Sequence, residues 1–182
     1  MAEVRILLLR GVNVAGANRL PMAEFRALLG EVGLGDVATH IQSGNAVFSD
    51  PVGAGLADRI GAAMRARFGF SPTLFLLSLP QFRAVLAANP YLDAGQADGA
   101  KVHVFFLNAA APGTDLAGMA ALAAPDEAFT LTDAALYLHA PSGIGRSLLA
   151  EKLARFIKVG MTARNQRSCE AILGLAEAIG AR

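Results

Sequence analysis

The amino-acid sequence predicts an α+β protein: a ferredoxin-like split βαβ N-terminal half (βαββαβ) packed with a related βαββαα C-terminal half. Three observations carry this. Segments of strand and helix periodicity alternate along residues 4–77 in the order strand, helix, strand, strand, helix, strand. A Gln-Ser-Gly-Asn turn at 42–45 joins two of those strands as a hairpin. The order strand, helix, strand, strand, helix then recurs from residue 101 onward.

A strand over 4–10 carries Ile6 and Leu8 on one face and Leu7 and Leu9 on the other, so both faces are expected to be covered. Pro21 suits the first turn of a helix over 21–32, where Phe25, Leu28, Leu29 and Val32 fall at helical spacing. Val37, Thr39 and Ile41 alternate with Ala38 and His40 in a strand over 36–41. Ser43-Gly44 supplies the turn, and 45–49 returns as the hairpin partner. A helix over 53–68 spaces Leu56, Ile60, Met64 and Phe68 four apart, and TLFLL at 73–77 closes the series. A helix over 79–88 and a loop over 89–99 lead to a strand over 101–107 and a small-residue helix over 114–123. Strands over 127–132 and 134–139 turn about Asp133, and helices over 146–157 and 166–179 finish the chain. A final helix thus stands where a closing strand would complete the second pattern. The expected division is 1–78 and 79–182, two subdomains sharing one core.

This order places two polar loops. In a split βαβ unit the first two strands run parallel, with the hairpin partner antiparallel between them, so their C-terminal ends share one edge. The first strand exits into Arg10-Gly11-Val12-Asn13, followed by Asn18, and the second into Gln42-Ser43-Gly44-Asn45. The loops are therefore expected to be neighbours. Arg offers a bidentate fork for phosphate or carboxylate, Asn and Gln offer mixed donors and acceptors, and glycine permits close approach to the backbone. The same residues also make turns and cap their own loops, a purely structural role. Only six Asn occur in the chain, and three of them are Asn13, Asn18 and Asn45. A third polar segment, MTARNQRS at 161–168, sets Arg164 before the last helix, with Asn165 as its expected N-cap.

Composition narrows the classes. Hydrophobic residues make up 54% of the chain and charged residues 17%, enough for a buried core and against disorder. No apolar run approaches a membrane span, and Ile6 to Leu9 is too short for a signal peptide, so a cytoplasmic protein with no membrane partner is expected. One cysteine, Cys169, excludes an internal disulfide and a cysteine-based zinc site. The net charge of +1 hides an excess of +4 over residues 142–182, readable as a solvated helix face with Glu151 to Arg155 pairing or as a polyanion-facing surface.

With those segments in view, LLRGVNVAGANRLPM, THIQSGNAVF and TARNQRS resemble the bacterial family known as domain of unknown function 1697. The resemblance implies an α+β fold and puts the family's motif positions on Arg10, Gly11, Asn13, Asn18, Gln42, Ser43, Gly44, Asn45, Arg164 and Asn165. Ala15 stands where the family usually has Gly, Ala163 where a second Thr is common, and Gln166 where Trp is usual. The family carries no established activity.

No reaction is legible. His40, His103 and His139 lie on separate strands without ligand-spaced partners, so no metal is expected, and no cofactor. Cys169 sits on an apolar helix stripe with Ile172, Ala176 and Ile179, as a buried structural thiol would. Asp126 and Glu127, adjacent on an expected strand, point to opposite faces. Three readings remain. The first is a binding module for a phosphorylated small molecule or nucleic acid at the two N-terminal loops. The second is an enzyme on an anionic small molecule, with Arg10 and Arg164 stabilising charge. The third is a protein-interaction role with structural loops. Whether the chain is an enzyme, and its oligomeric state, stay open at this level.

Overall fold

The structure, a computed structural model, describes residues 2–14, 16–51 and 53–182. Ala15, one of the departures from the family pattern, lies outside the described residues. The chain forms two compact units, Met1–Ala84 with Glu170–Arg182, and Val85–Cys169. The expected break at 78/79 therefore moves to 84/85, and the end of the chain returns to the first unit. Leu79 at the start of the added stretch lies close to the returning end of the chain, its Cδ2 3.5 Å from where a Cβ on Gly180 would stand.

The first unit runs β1 (Glu3–Arg10), α1 (Met22–Glu31), β2 (Gly35–His40), β3 (Asn45–Asp50), α2 (Leu56–Phe68) and β4 (Thr73–Ser78), then enters α3 (Leu79–Ala87). Its sheet has the order β2-β3-β1-β4. β3 is antiparallel to both β1 and β2, so β1 and β2 are parallel with β3 between them, as the split βαβ reading requires. Ile6, Leu7, Leu8 and Leu9 are 0–1% exposed, so both faces of β1 are covered. Leu7 and Leu9 pack with Phe25, Leu28 and Leu29 of α1 and with Leu56, Ile60 and Met64 of α2, the residues their spacing selected. On the opposite face, Val4 lies 3.7 Å from the Cβ position of Gly180, at the end of the last helix.

The second unit contains the end of α3, α4 (Leu92–Ala97), β5 (Val102–Leu107), α5 (Leu116–Leu122), β6 (Ala128–Leu131), β7 (Ala135–His139), α6 (Leu148–Lys152) and β8 (Met161–Asn165); α7 (Gln166–Gly180) begins here and ends in the first unit. Its four strands lie in the order β6-β7-β5-β8. Three corrections follow. The closing strand exists: β8 pairs antiparallel with β5, so this half reads βαββαβ before its last helix. The loop expected over 89–99 contains α4. The helix expected over 146–157 is broken into a 3-10 turn at Ile144–Arg146, α6, and a second 3-10 turn at Leu153–Arg155. The Glu151 carboxyl has its pKa lowered first by Lys152, its hydrogen-bond partner, and more weakly by the charge of Arg155. Asp126 and Glu127 precede β6 and sit in a turn, where Asp126 accepts from Ser142 Oγ at 3.3 Å and Glu127 from Ala124 N at 3.0 Å.

Candidate functional site

The two N-terminal loops meet. Asn13 Nδ2 donates to the carbonyl of Gln42 at 2.7 Å, and Leu9 N donates to the carbonyl of Gly44 at 2.9 Å. The parallel strands bring their exits to one rim, as the topology demands.

The asparagines build this rim. Asn13, at φ 54, uses its amide as a substitute peptide group: Nδ2 also donates to Leu20 O at 3.0 Å, and Oδ1 accepts from Leu20 N at 2.8 Å. Asn18, at φ 49, donates from Nδ2 to Gly11 O at 2.9 Å, and its own carbonyl accepts from Asn13 N at 3.1 Å. Asn45 is 1% exposed and closes the hairpin, donating to His40 O at 3.1 Å and to Ser43 Oγ at 2.9 Å. Such side-chain-to-backbone bonds are how Asn stabilises left-handed turn residues. These amides are committed to the scaffold.

Gly44 is required by close approach. At φ 75, a Cβ there would lie 2.6 Å from Val12 Cγ2 and 2.8 Å from Leu9 Cβ. Val12 is 3% exposed, so the hairpin rests on an apolar side chain of the first loop. Arg10, at the end of β1, and the side chain of Gln42 remain exposed, and Gly11 has open space around its Cβ position. Three features of this rim escaped sequence reasoning. Arg19 is exposed on the same loop, as is Val14. Ile41, expected in a strand, lies beyond its end with φ 48 and is exposed. The available signal was apolar residues inside otherwise polar turns.

Arg164 and Asn165 belong to the second unit, on β8. Arg164 is 7% exposed and donates to Thr162 Oγ1 at 3.0 Å and Ala163 O at 2.7 Å. Burial lowers its pKa to about 10, so it stays charged at neutral pH. Asn165 Oδ1 accepts from Ser168 N at 2.9 Å, the N-cap expected of it. Gln166 is buried: Asn89 Nδ2 donates to its Oε1 at 3.4 Å, and its Nε2 donates to Leu92 O at 3.5 Å, tying β8 to the loop that carries α4. Cys169 is buried, with Sγ 3.9 Å from Arg164 O, a structural thiol. Among the described residues, no group of three or more His, Cys, Asp or Glu side chains could hold a metal ion. Among the same residues, no helix is long and apolar enough to cross a membrane.

Comparison with known proteins places this geometry. The model of the family described as a protein of unknown function (DUF1697) matches residues 2–137. The chain belongs to this family. The DUF1697 match includes both N-terminal loops and ends before Arg164 and Asn165, which the third motif segment contains. No curated protein matches this DUF1697 chain. Its fold is similar to that of a conserved bacterial protein, SP0830, from Streptococcus pneumoniae. The TM-score is 0.70 at 24% sequence identity, with 97% of this chain and 99% of that one covered. At that identity the likeness speaks for the fold alone.

Proposed function

We propose that the rim formed by the two N-terminal loops is a binding surface for an anionic group, a phosphorylated small molecule or nucleic acid being the expected class. Arg10 supplies the charge, with the side chain of Gln42 and the backbone at Gly11 as polar contacts. Asn13, Asn18, Ser43, Gly44 and Asn45 act as positioning residues. The observation that carries this reading is the 2.7 Å bond from Asn13 Nδ2 to Gln42 O. It fixes one loop against the other before any ligand arrives, and a preordered site loses less entropy on binding. Arg164 and Asn165 are given structural roles, the first bonded to Thr162 and Ala163 and the second capping the last helix. The reading goes with a cytoplasmic location, in keeping with the single cysteine.

The test is equilibrium binding of inorganic phosphate, nucleoside phosphates and a single-stranded oligonucleotide over a range of salt. Affinity falls as salt rises, and Arg10→Ala weakens binding by about tenfold and flattens the salt dependence. Binding that ignores both salt and Arg10→Ala would sink the proposal.

A further inference from the structure

Val14 and Ile41 are the most exposed large apolar side chains among the described residues, at 61% and 53%. Each is next in sequence to one partner of the Asn13–Gln42 hydrogen bond, so they sit on the same rim. Ile41 carries a second cost. Its φ of 48 lies in the left-handed region, which a β-branched residue occupies only under strain, whereas Gly or Asn would occupy it readily. At 53% exposure the side chain recovers only part of that cost by burial inside the molecule, and strained residues of this kind cluster at binding surfaces. The charges are one-sided. Arg10 and Arg19 are exposed on these loops, and no Asp or Glu occurs from Val4 to Ala23 or from Val37 to Ser49.

We propose that the rim docks an acidic, aliphatic-bearing segment of another protein, with carboxylates on Arg10 and Arg19 and aliphatic side chains against Val14 and Ile41. This rests on the reading that the rim takes anions, and names what carries the anion. An apolar centre with arginines around it is the usual anatomy of a protein interface. A nucleotide or nucleic acid fits less well, because bases stack on aromatic rings and neither 10–20 nor 41–45 contains Phe, Tyr, Trp or His.

Short synthetic peptides alternating Asp with Leu, Lys with Leu, or Asp with Ser serve as probes, titrated into the full chain while its Ile and Val methyl resonances are followed by NMR. The Asp–Leu peptide shifts the methyls of Val14 and Ile41; the Asp–Ser peptide binds at least about tenfold more weakly, and the Lys–Leu peptide not at all. Ile41→Asn keeps or raises the melting temperature, loses at least about tenfold in affinity for the Asp–Leu peptide, and leaves binding of inorganic phosphate unchanged. Equal binding of the Lys–Leu peptide, unmoved Ile41 methyls, or full affinity in Ile41→Asn overturns the proposal. Tighter binding of a single-stranded oligonucleotide than of the Asp–Leu peptide overturns it too. Failure of the underlying anion reading shows separately, as phosphate binding indifferent to Arg10→Ala.

Discussion

A single missing methyl group sets the geometry of the rim. Gly44 combines a left-handed backbone with a Cβ position 2.6 Å from Val12 and 2.8 Å from Leu9, both in the core of the first unit. Gly44→Ala therefore adds backbone strain to overpacking, and the expected loss is about 2–4 kcal/mol. Urea unfolding would show it as a lower midpoint at unchanged slope. The sequence identifies Gly11, Asn13 and Gly44 as turn residues, because few others tolerate such backbones. It does not say whether an amide turns outward to a ligand or inward to Leu20 and His40 carbonyls. That choice depends on which backbone groups the fold leaves unpaired, and only the assembled loops reveal it.

At the level of elements, the first half is legible because its pattern is strong: Leu56, Ile60 and Met64 at four-residue spacing, and a β1 strand apolar on both faces. β8 escapes notice because alternation is hidden. Its most buried residues include Thr162 and Arg164, whose polarity is satisfied by hydrogen bonds that no hydrophobic pattern records. α4 escapes for a related reason. Its LDAGQA sequence is weakly helical, and Gly95 lies against the buried side chain of Gln166, the first residue of α7. A Cβ on Gly95 would stand 1.8 Å from Gln166 Oε1, so an alanine there forces the buried Gln166 amide to shift away from Asn89 and Leu92. Gly95→Ala is expected to destabilise by about 2–3 kcal/mol, and Gln166→Ala by about 1–2 kcal/mol. Combined, they are non-additive, the double variant recovering at least about 1 kcal/mol relative to the sum. A double-mutant cycle on urea unfolding measures the coupling.

For the molecule as a whole, strand order followed from the sequence, since a crossover helix and a tight hairpin leave β3 only the place between β1 and β2. The place of the final helix did not, because an apolar stripe announces that Ile172, Ala176 and Ile179 are buried without saying against what. Acid stability is also a property of the whole. His103 on β5 is 8% exposed, and its Nδ1 has no hydrogen-bond partner among the described residues. Burial lowers its pKa from 6.5 to about 4. Above pH 6.5 the imidazole is neutral folded and unfolded, and contributes nothing to the pH dependence. Between 6.5 and about 4 only the unfolded chain takes the proton, so stability falls with pH by up to about 3 kcal/mol. His103→Leu is expected to remove that part of the loss, seen by comparing unfolding at about pH 7.5 and about pH 4.5 with the wild type. The return of Glu170–Arg182 to the first unit bears on birth at the ribosome. A nascent chain that has made β1 to β4 still lacks the segment ending at Gly180, beside Val4, until all of Val85–Cys169 has been translated. At ordinary elongation rates that delay is roughly five to twenty seconds, during which the half-clothed sheet is a natural client for chaperones.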